Sequence, residues 1–313
     1  MQNRKPNRQP APAGPSPTHA KHVHEVVDPR WIISALAGML LLAVLCAYIA
    51  VCALFYHGQW QLVLQPSRTV AQTPITAGLQ STEVHFGVDA TGQPQLDGWW
   101  IPADASATPH PTALVLNDGI GSLSDAIPTA QLLHDTELNV FLFDYRGFGH
   151  SLGQHPDQQL MHADAASALR YLTEIRSVPA SSIVIFGKGL GASLAVNLCA
   201  AHKELPAIIL ESPKGDFDQT IRNDPRARMV PASLLFNQKF PLATPLQTLP
   251  TPKLLISITA GSTPTNLQNA ADPKTTLELP PPASQQTLHK AIVRFLATYL
   301  SQPPDALNPK NLR

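Results

Sequence analysis

The stretch Ser181-Ser-Ile-Val-Ile-Phe-Gly-Lys-Gly-Leu-Gly-Ala-Ser193 constrains this chain more than any other. Ile183, Val184, Ile185 and Phe186 form a short, wholly apolar run. Such a run reads as a strand buried on both faces, as at the centre of a parallel sheet. Gly187 to Gly191 then force a tight turn, and Leu190 to Cys199 continue with helical character. Strand, glycine-bounded turn and helix make a nucleophile elbow, in which G-x-S-x-G holds a serine at a strained apex. Here the apex is Gly189. The elbow is present and its nucleophile is not.

The rest of the chain supplies a sheet around that strand. Period-two patterns at Thr82–Val88 and Leu96–Ile101 predict an antiparallel hairpin. Further strands are expected at Ala113–Leu116, Val140–Phe143, Ile208–Leu210, Leu254–Ile258 and Thr276–Leu279. Helical patterns fall between them at about Ser124–His134, Gln158–Ile175, Leu190–Ala201 and Gln285–Leu300. Alternation of this kind predicts an α/β fold, a mostly parallel sheet covered on both faces. A Pro-rich insertion at about 212–252 interrupts it, and a polar tail follows from 301 to 313.

Ahead of this domain, residues 1–29 are Pro-rich, basic and poor in apolar groups, which predicts a disordered arm. Trp31 to Tyr56 contains no charged residue. At about 1.5 Å per residue it can cross a hydrocarbon core of about 30 Å, so 30–57 is expected to be a transmembrane anchor. A cleaved signal peptide is the competing reading, but its apolar region would normally be only about 7–15 residues. Arg4, Lys5, Arg8, Lys21 and Arg30 precede the span and only Arg68 lies close behind it. The positive-inside bias places the N-terminus in the cytoplasm and the domain in the periplasm or cell envelope. Tyr48, Tyr56 and Trp60 suit an aromatic belt, and 58–72 reads as a connector. Formal net charge is zero with no Lys/Arg block, so no nucleic-acid partner is expected. The histidines lack metal-ligand spacing, and no metal or cofactor is expected.

Three segments carry a family resemblance. Phe141-Leu-Phe-Asp-Tyr-Arg-Gly-Phe-Gly-His-Ser-Leu-Gly153, Asp164 to Leu172 and Ile209-Leu-Glu-Ser-Pro213 follow one another in order. They resemble segments of membrane-anchored α/β-hydrolase-domain proteins, the branch similar to serine aminopeptidases and acylglycerol lipases. The resemblance runs from about Thr73 to Tyr299 and implies an α/β-hydrolase domain at 73–300, with a small cap at 212–252. It also implies three catalytic positions in the order Ser, acid, His. The nucleophile position is Gly189. The acid falls at Gly261 in Ser257-Ile-Thr-Ala-Gly-Ser-Thr-Pro264, and the histidine position falls at Ser284 after Pro280-Pro-Pro282. All three roles are empty.

The oxyanion loop implied by the resemblance is Asn117-Asp-Gly-Ile-Gly121. The backbone N–H groups of Gly119 and Leu190 could still point into a pocket, where Asp118 would repel an anion. Lys188 occupies the variable position of the elbow. Ser193 is the alternative nucleophile and His289 the alternative base, although both sit within helices. Asp144 and Arg146 are expected to pair. Ser151 and Ser212 are structural.

Two functions follow from these readings. The first is a non-catalytic binding or scaffold domain, a pseudoenzyme, whose partner is a protein or a small neutral ligand in a pocket above Gly189. The second is an active ester or amide hydrolase with displaced catalytic groups.

Overall fold

The computed structural model describes residues 29–105, 109–258 and 265–300. The sequence readings for residues 1–28 and 301–313, and for the acid position Gly261, lie outside the described residues. The chain divides into two compact units, one ending at Ala50 and the other beginning at Val51.

In the first unit every described residue belongs to helix α1 (Pro29–Gly58), which continues into the second. At about 1.5 Å per residue, its 30 residues amount to some 45 Å of helix. This is long and apolar enough to cross a membrane.

The second unit is built on an eight-stranded sheet. In chain order the strands are β1 (Thr82–Val88), β2 (Pro94–Ile101), β3 (Thr112–Leu116), β4 (Asn139–Asp144), β5 (Ile183–Lys188), β6 (Ala207–Glu211), β7 (Lys253–Ile258) and β8 (Lys274–Leu279). Their spatial order is β8-β7-β6-β5-β3-β4-β2-β1. All neighbours from β8 to β4 pair parallel, and β4–β2 and β2–β1 pair antiparallel. The fold is the α/β-hydrolase fold expected from the sequence.

Helices α2 (Ile127–His134), α3 (Gln158–Arg170), α4 (Gly191–Ala201) and α5 (Gln285–Tyr299) cover the sheet. Alternation along the strands feeds two separate cores. Leu114, Phe141, Phe143 and Ile185 pack with Met161, Ala165, Leu194 and Leu198 of α3 and α4. Val115, Val140, Val184 and Phe186 pack with Leu132, Leu133, Leu288 and Ile292 of α2 and α5. β5 is therefore buried on both faces, which is why its sequence shows no polar alternation.

One sequence reading changes here. The connector is a structural part of the domain: Leu64 is buried, and Gln65–Pro66 pairs in parallel with Ile120–Gly121. Arg68 fastens it further by donating to the carbonyls of Gly149, Ser151 and Gly153. The Trp60 ring stacks on His155 with centroids 5.4 Å apart.

Candidate functional site

Strand order fixes where a site can form. β3 is followed by β4 on one side of it, while β5 lies on the other, so the chain reverses direction between β3 and β5. In open α/β sheets, ligands bind at such a switch point beyond the carboxyl ends of the strands. Register aligns Leu116 with Gly187, so the loop after β3 and the turn after β5 emerge side by side.

Glycine is required at this turn. Gly189 has φ +54°, in the left-handed region. A Cβ on Gly191 would stand 2.0 Å from the Leu116 carbonyl oxygen, so α4 starts in close contact with β3. Gly119 is similarly confined, because an added Cβ would meet Leu64 Cδ2 at 2.5 Å.

The space over the apex is occupied by the chain itself. A Cβ at Gly189 would lie 2.3 Å from Asp118 Cγ. The Gly119 N–H donates to Asp118 Oδ1 at 2.9 Å and the Leu190 N–H donates to the same oxygen at 3.1 Å. These are the two donors expected to form an oxyanion hole. Lys214 Nζ completes the arrangement, donating to Asp118 Oδ2 at 2.9 Å. The Lys214 N–H also donates to the Gly189 carbonyl at 2.8 Å, so backbone and side chain together hold the lysine across the turn. Asp118 is thus a guest in the hole rather than a charge at its rim.

Neighbouring polar groups are committed as well. Lys188 Nζ lies 3.2 Å from Glu211 Oε1 and 3.3 Å from Thr129 Oγ1. Tyr145 donates its hydroxyl to the Asn117 carbonyl at 3.2 Å, and burial pushes its pKa well up. It is a fixed donor to the loop and not a base. Cavities of about 210 to 750 Å³ among the described residues are lined by residues other than Asp118, Gly119, Lys188, Gly189 and Leu190.

The alternative catalytic groups are engaged elsewhere. Ser193 is fully buried and donates to the Pro241 carbonyl at 2.8 Å, tying α4 to the insertion. His289 Nε2 lies 3.0 Å from the Asp135 carbonyl. Asp135 directly follows α2 and precedes β4, so it sits at the edge of the sheet opposite the elbow. Ser284, at the implied histidine position, is exposed and is the N-cap of α5. Its hydroxyl accepts from the Thr287 N–H, which satisfies a free donor of the first turn.

Asp144 and Arg146 do not pair. Arg146 Nε instead donates to Asp164 Oδ1 at 2.7 Å, and its N–H donates to Oδ2 at 2.9 Å. Asp164 is nonetheless raised to about 6, chiefly by burial. Asp144 points to the α2 side of the sheet, where the Leu123 N–H donates to Oδ1 at 2.7 Å. Adjacent charges in sequence are turned apart by the strand end between them. Ser151 is structural, accepting from the Asp97 N–H and donating to the Asp144 carbonyl.

Sequence reasoning missed Lys214. It stands 96 positions from Asp118 and carries no motif. The signal lay in register: Lys188 aligns with Glu211, so residues just after β6 must rise beside the elbow.

Comparison with known proteins agrees with this architecture. Residues 109–277, more than half of the chain, match the family described as serine aminopeptidase, S33. The chain belongs to that family. An uncharacterized protein of Mycobacterium tuberculosis is 38% identical over 119 residues, which is 38% of this chain and 41% of the relative. Protein bem46 of Schizosaccharomyces pombe is 30% identical over 119 residues, covering 37% of this chain and 40% of the relative. The match thus spans less than half the length of these relatives. An esterase of Pyrococcus furiosus superposes with a TM-score of 0.60 at 17% identity, covering 76% of this chain and 98% of the esterase. An α/β hydrolase from Vibrio vulnificus gives 0.59 at 19%, covering 74% and 87%. At these identities the structural likeness speaks for the fold alone.

Proposed function

We propose that this chain is a non-catalytic member of its family, a membrane-tethered domain that serves binding or scaffolding. The observation that carries the reading is Asp118: its carboxylate takes both N–H donors of the oxyanion hole and fills the volume over Gly189. A hydrolase needs those donors free for the charge that develops on the substrate oxygen, and donors of this kind supply much of the acceleration. With Asp118 in the hole, a tetrahedral intermediate would have to displace an anion paired with Lys214. Engagement of Ser193 and His289 in other bonds speaks against an active enzyme with displaced groups. Filling of the apex also moves the expected ligand away from Gly189, so a protein or neutral small molecule would be recognised on the outer surface.

The tether in this reading is α1, with the basic N-terminus in the cytoplasm and the domain on the far side of the membrane. A serine-directed fluorophosphonate probe applied to the full chain tests the chemistry. No serine is expected to be labelled; covalent labelling of any one would overturn the proposal. Retention in membranes through alkaline carbonate extraction tests the tether, and release of a processed soluble domain would identify a cleaved signal instead.

A further inference from the structure

The insertion carries a small core of its own, made by Ile221, Ala227, Val230, Ala232 and Phe236. Cys52 and Phe55, from the last turns of α1, pack against this core together with Leu62 and Val63. Gln59 clamps the junction: Nε2 donates to the Leu235 carbonyl at 3.3 Å, and Oε1 accepts from the Asn237 N–H at 2.7 Å. The end of the apolar helix is therefore fastened to the insertion, which keeps the insertion within a few residues of the point where the helix ends.

The exposed part of the insertion has an unusual surface. Leu234 is 82% exposed and Met229 is 66% exposed. Arg222, Arg226, Arg228 and Lys239 of the same segment are exposed as well. Arg226 is held by Asp224 at 2.9 Å, while Arg222 and Arg228 form no ion pair among the described residues. Residues 217–240 carry four basic side chains against Asp218 and Asp224, whereas the whole chain balances to zero. Protruding apolar side chains within a basic field are the pattern of a surface that lies in an anionic lipid interface.

We infer that this face of the insertion docks on the bilayer that holds α1, with Leu234 and Met229 at the boundary between headgroups and acyl chains and the arginines on anionic headgroups. The inference rests on the tether proposed above. It adds that the domain does not hang free on a leash but lies with its insertion against the lipid.

The full-length protein, with Cys46→Ala and Cys52→Ala, would carry an NBD fluorophore at Leu234→Cys or, separately, at Met229→Cys. Cys199 is fully buried and stays unlabelled. Reconstitution uses phosphatidylcholine liposomes, with and without phosphatidylglycerol, and brominated acyl chains as quencher. Both positions are expected to be quenched, roughly twofold more strongly with phosphatidylglycerol present. A reference label at Ser181→Cys, at the opposite edge of the sheet, should not respond. Arg222→Glu with Arg228→Glu should remove the phosphatidylglycerol enhancement. An unchanged melting temperature identifies each labelled variant as folded. Absence of quenching at both positions, in a chain that carbonate does not release, overturns the inference and leaves the tether standing. A shift that depends on protein concentration without quenching would assign the face to a second copy and overturn it equally. Release by carbonate would overturn the tether, and this inference with it.

Discussion

Two turns at the same edge of the sheet put a carboxylate where a glycine would carry its Cβ, and they treat it differently. At Gly189 (φ +54°) the guest is Asp118; at Gly149 (φ +42°) it is Asp144, whose Oδ2 lies 1.8 Å from an added Cβ. Asp118 receives two backbone N–H groups and Lys214. Asp144 receives the Leu123 N–H alone, and its buried Oδ2 has no partner among the described residues. Burial therefore raises Asp144 to about 7, despite that N–H. A turn with an oxyanion hole accepts a carboxylate with its bonds ready-made. A turn inside a packed core accepts it at a cost in charge.

The largest effect that would sharpen this contrast is expected from Gly149→Ala. Its Cβ collides with a carboxylate locked in the core and its φ is strained, so a loss of about 4 kcal/mol is expected in denaturant unfolding. A loss below about 1 kcal/mol would show that Asp144 moves as freely as a surface group.

Asp144 itself gives the next effect. Its folded pKa of about 7 stands above the 3.8 usual for a free aspartate. The folded state therefore holds the proton more tightly, and the stability this gives is complete in acid and lost as pH rises through 7. Asp144→Asn should flatten that slope and leave the domain about 2 kcal/mol more stable than the parent at pH 8. Parallel pH profiles for the two proteins would break the comparison.

Gly189→Ser should cost less, about 1–2 kcal/mol, because Asp118 is half-buried at the tip of a side chain that can swing aside. No esterase turnover is expected from it, since Ser284 stands at the implied histidine position and His289 is bonded to the Asp135 carbonyl. Turnover of a chromogenic ester by this single variant would reveal a base that the geometry does not show. The smallest change belongs to Lys214→Met, below about 1 kcal/mol, because the lysine is half-exposed and solvent screens its pair with Asp118. A much larger loss, read as a fall in melting temperature, would mean that the lysine rather than the two N–H groups holds Asp118 in place.

The sheet was legible because its signals are local. Four apolar residues at Ile183–Phe186 and glycines at 187, 189 and 191 specify a buried strand and a tight turn without reference to anything distant. The empty apex could be read from one residue. What occupies it could not, since Lys214 and Asp118 meet only when β3, β5 and β6 are laid in register. The connector was misread for the same reason. The burial of Leu64 depends on the Gly119 loop coming to meet it, which no local pattern announces. Asp144 and Arg146 stand two residues apart, which invites pairing, but each finds its partner on a different element.

The position of Asp118 also bears on how such a site could change over generations. A serine arriving first at residue 189 meets the carboxylate and gains no base. Removal of Asp118 first leaves the Gly119 and Leu190 N–H groups and the Lys214 ammonium without their acceptor. Each single step is thus penalised before any activity could reward it, and only paired replacements avoid both penalties. The filled hole thus separates the two arrangements of the site by a paired change rather than by a single substitution.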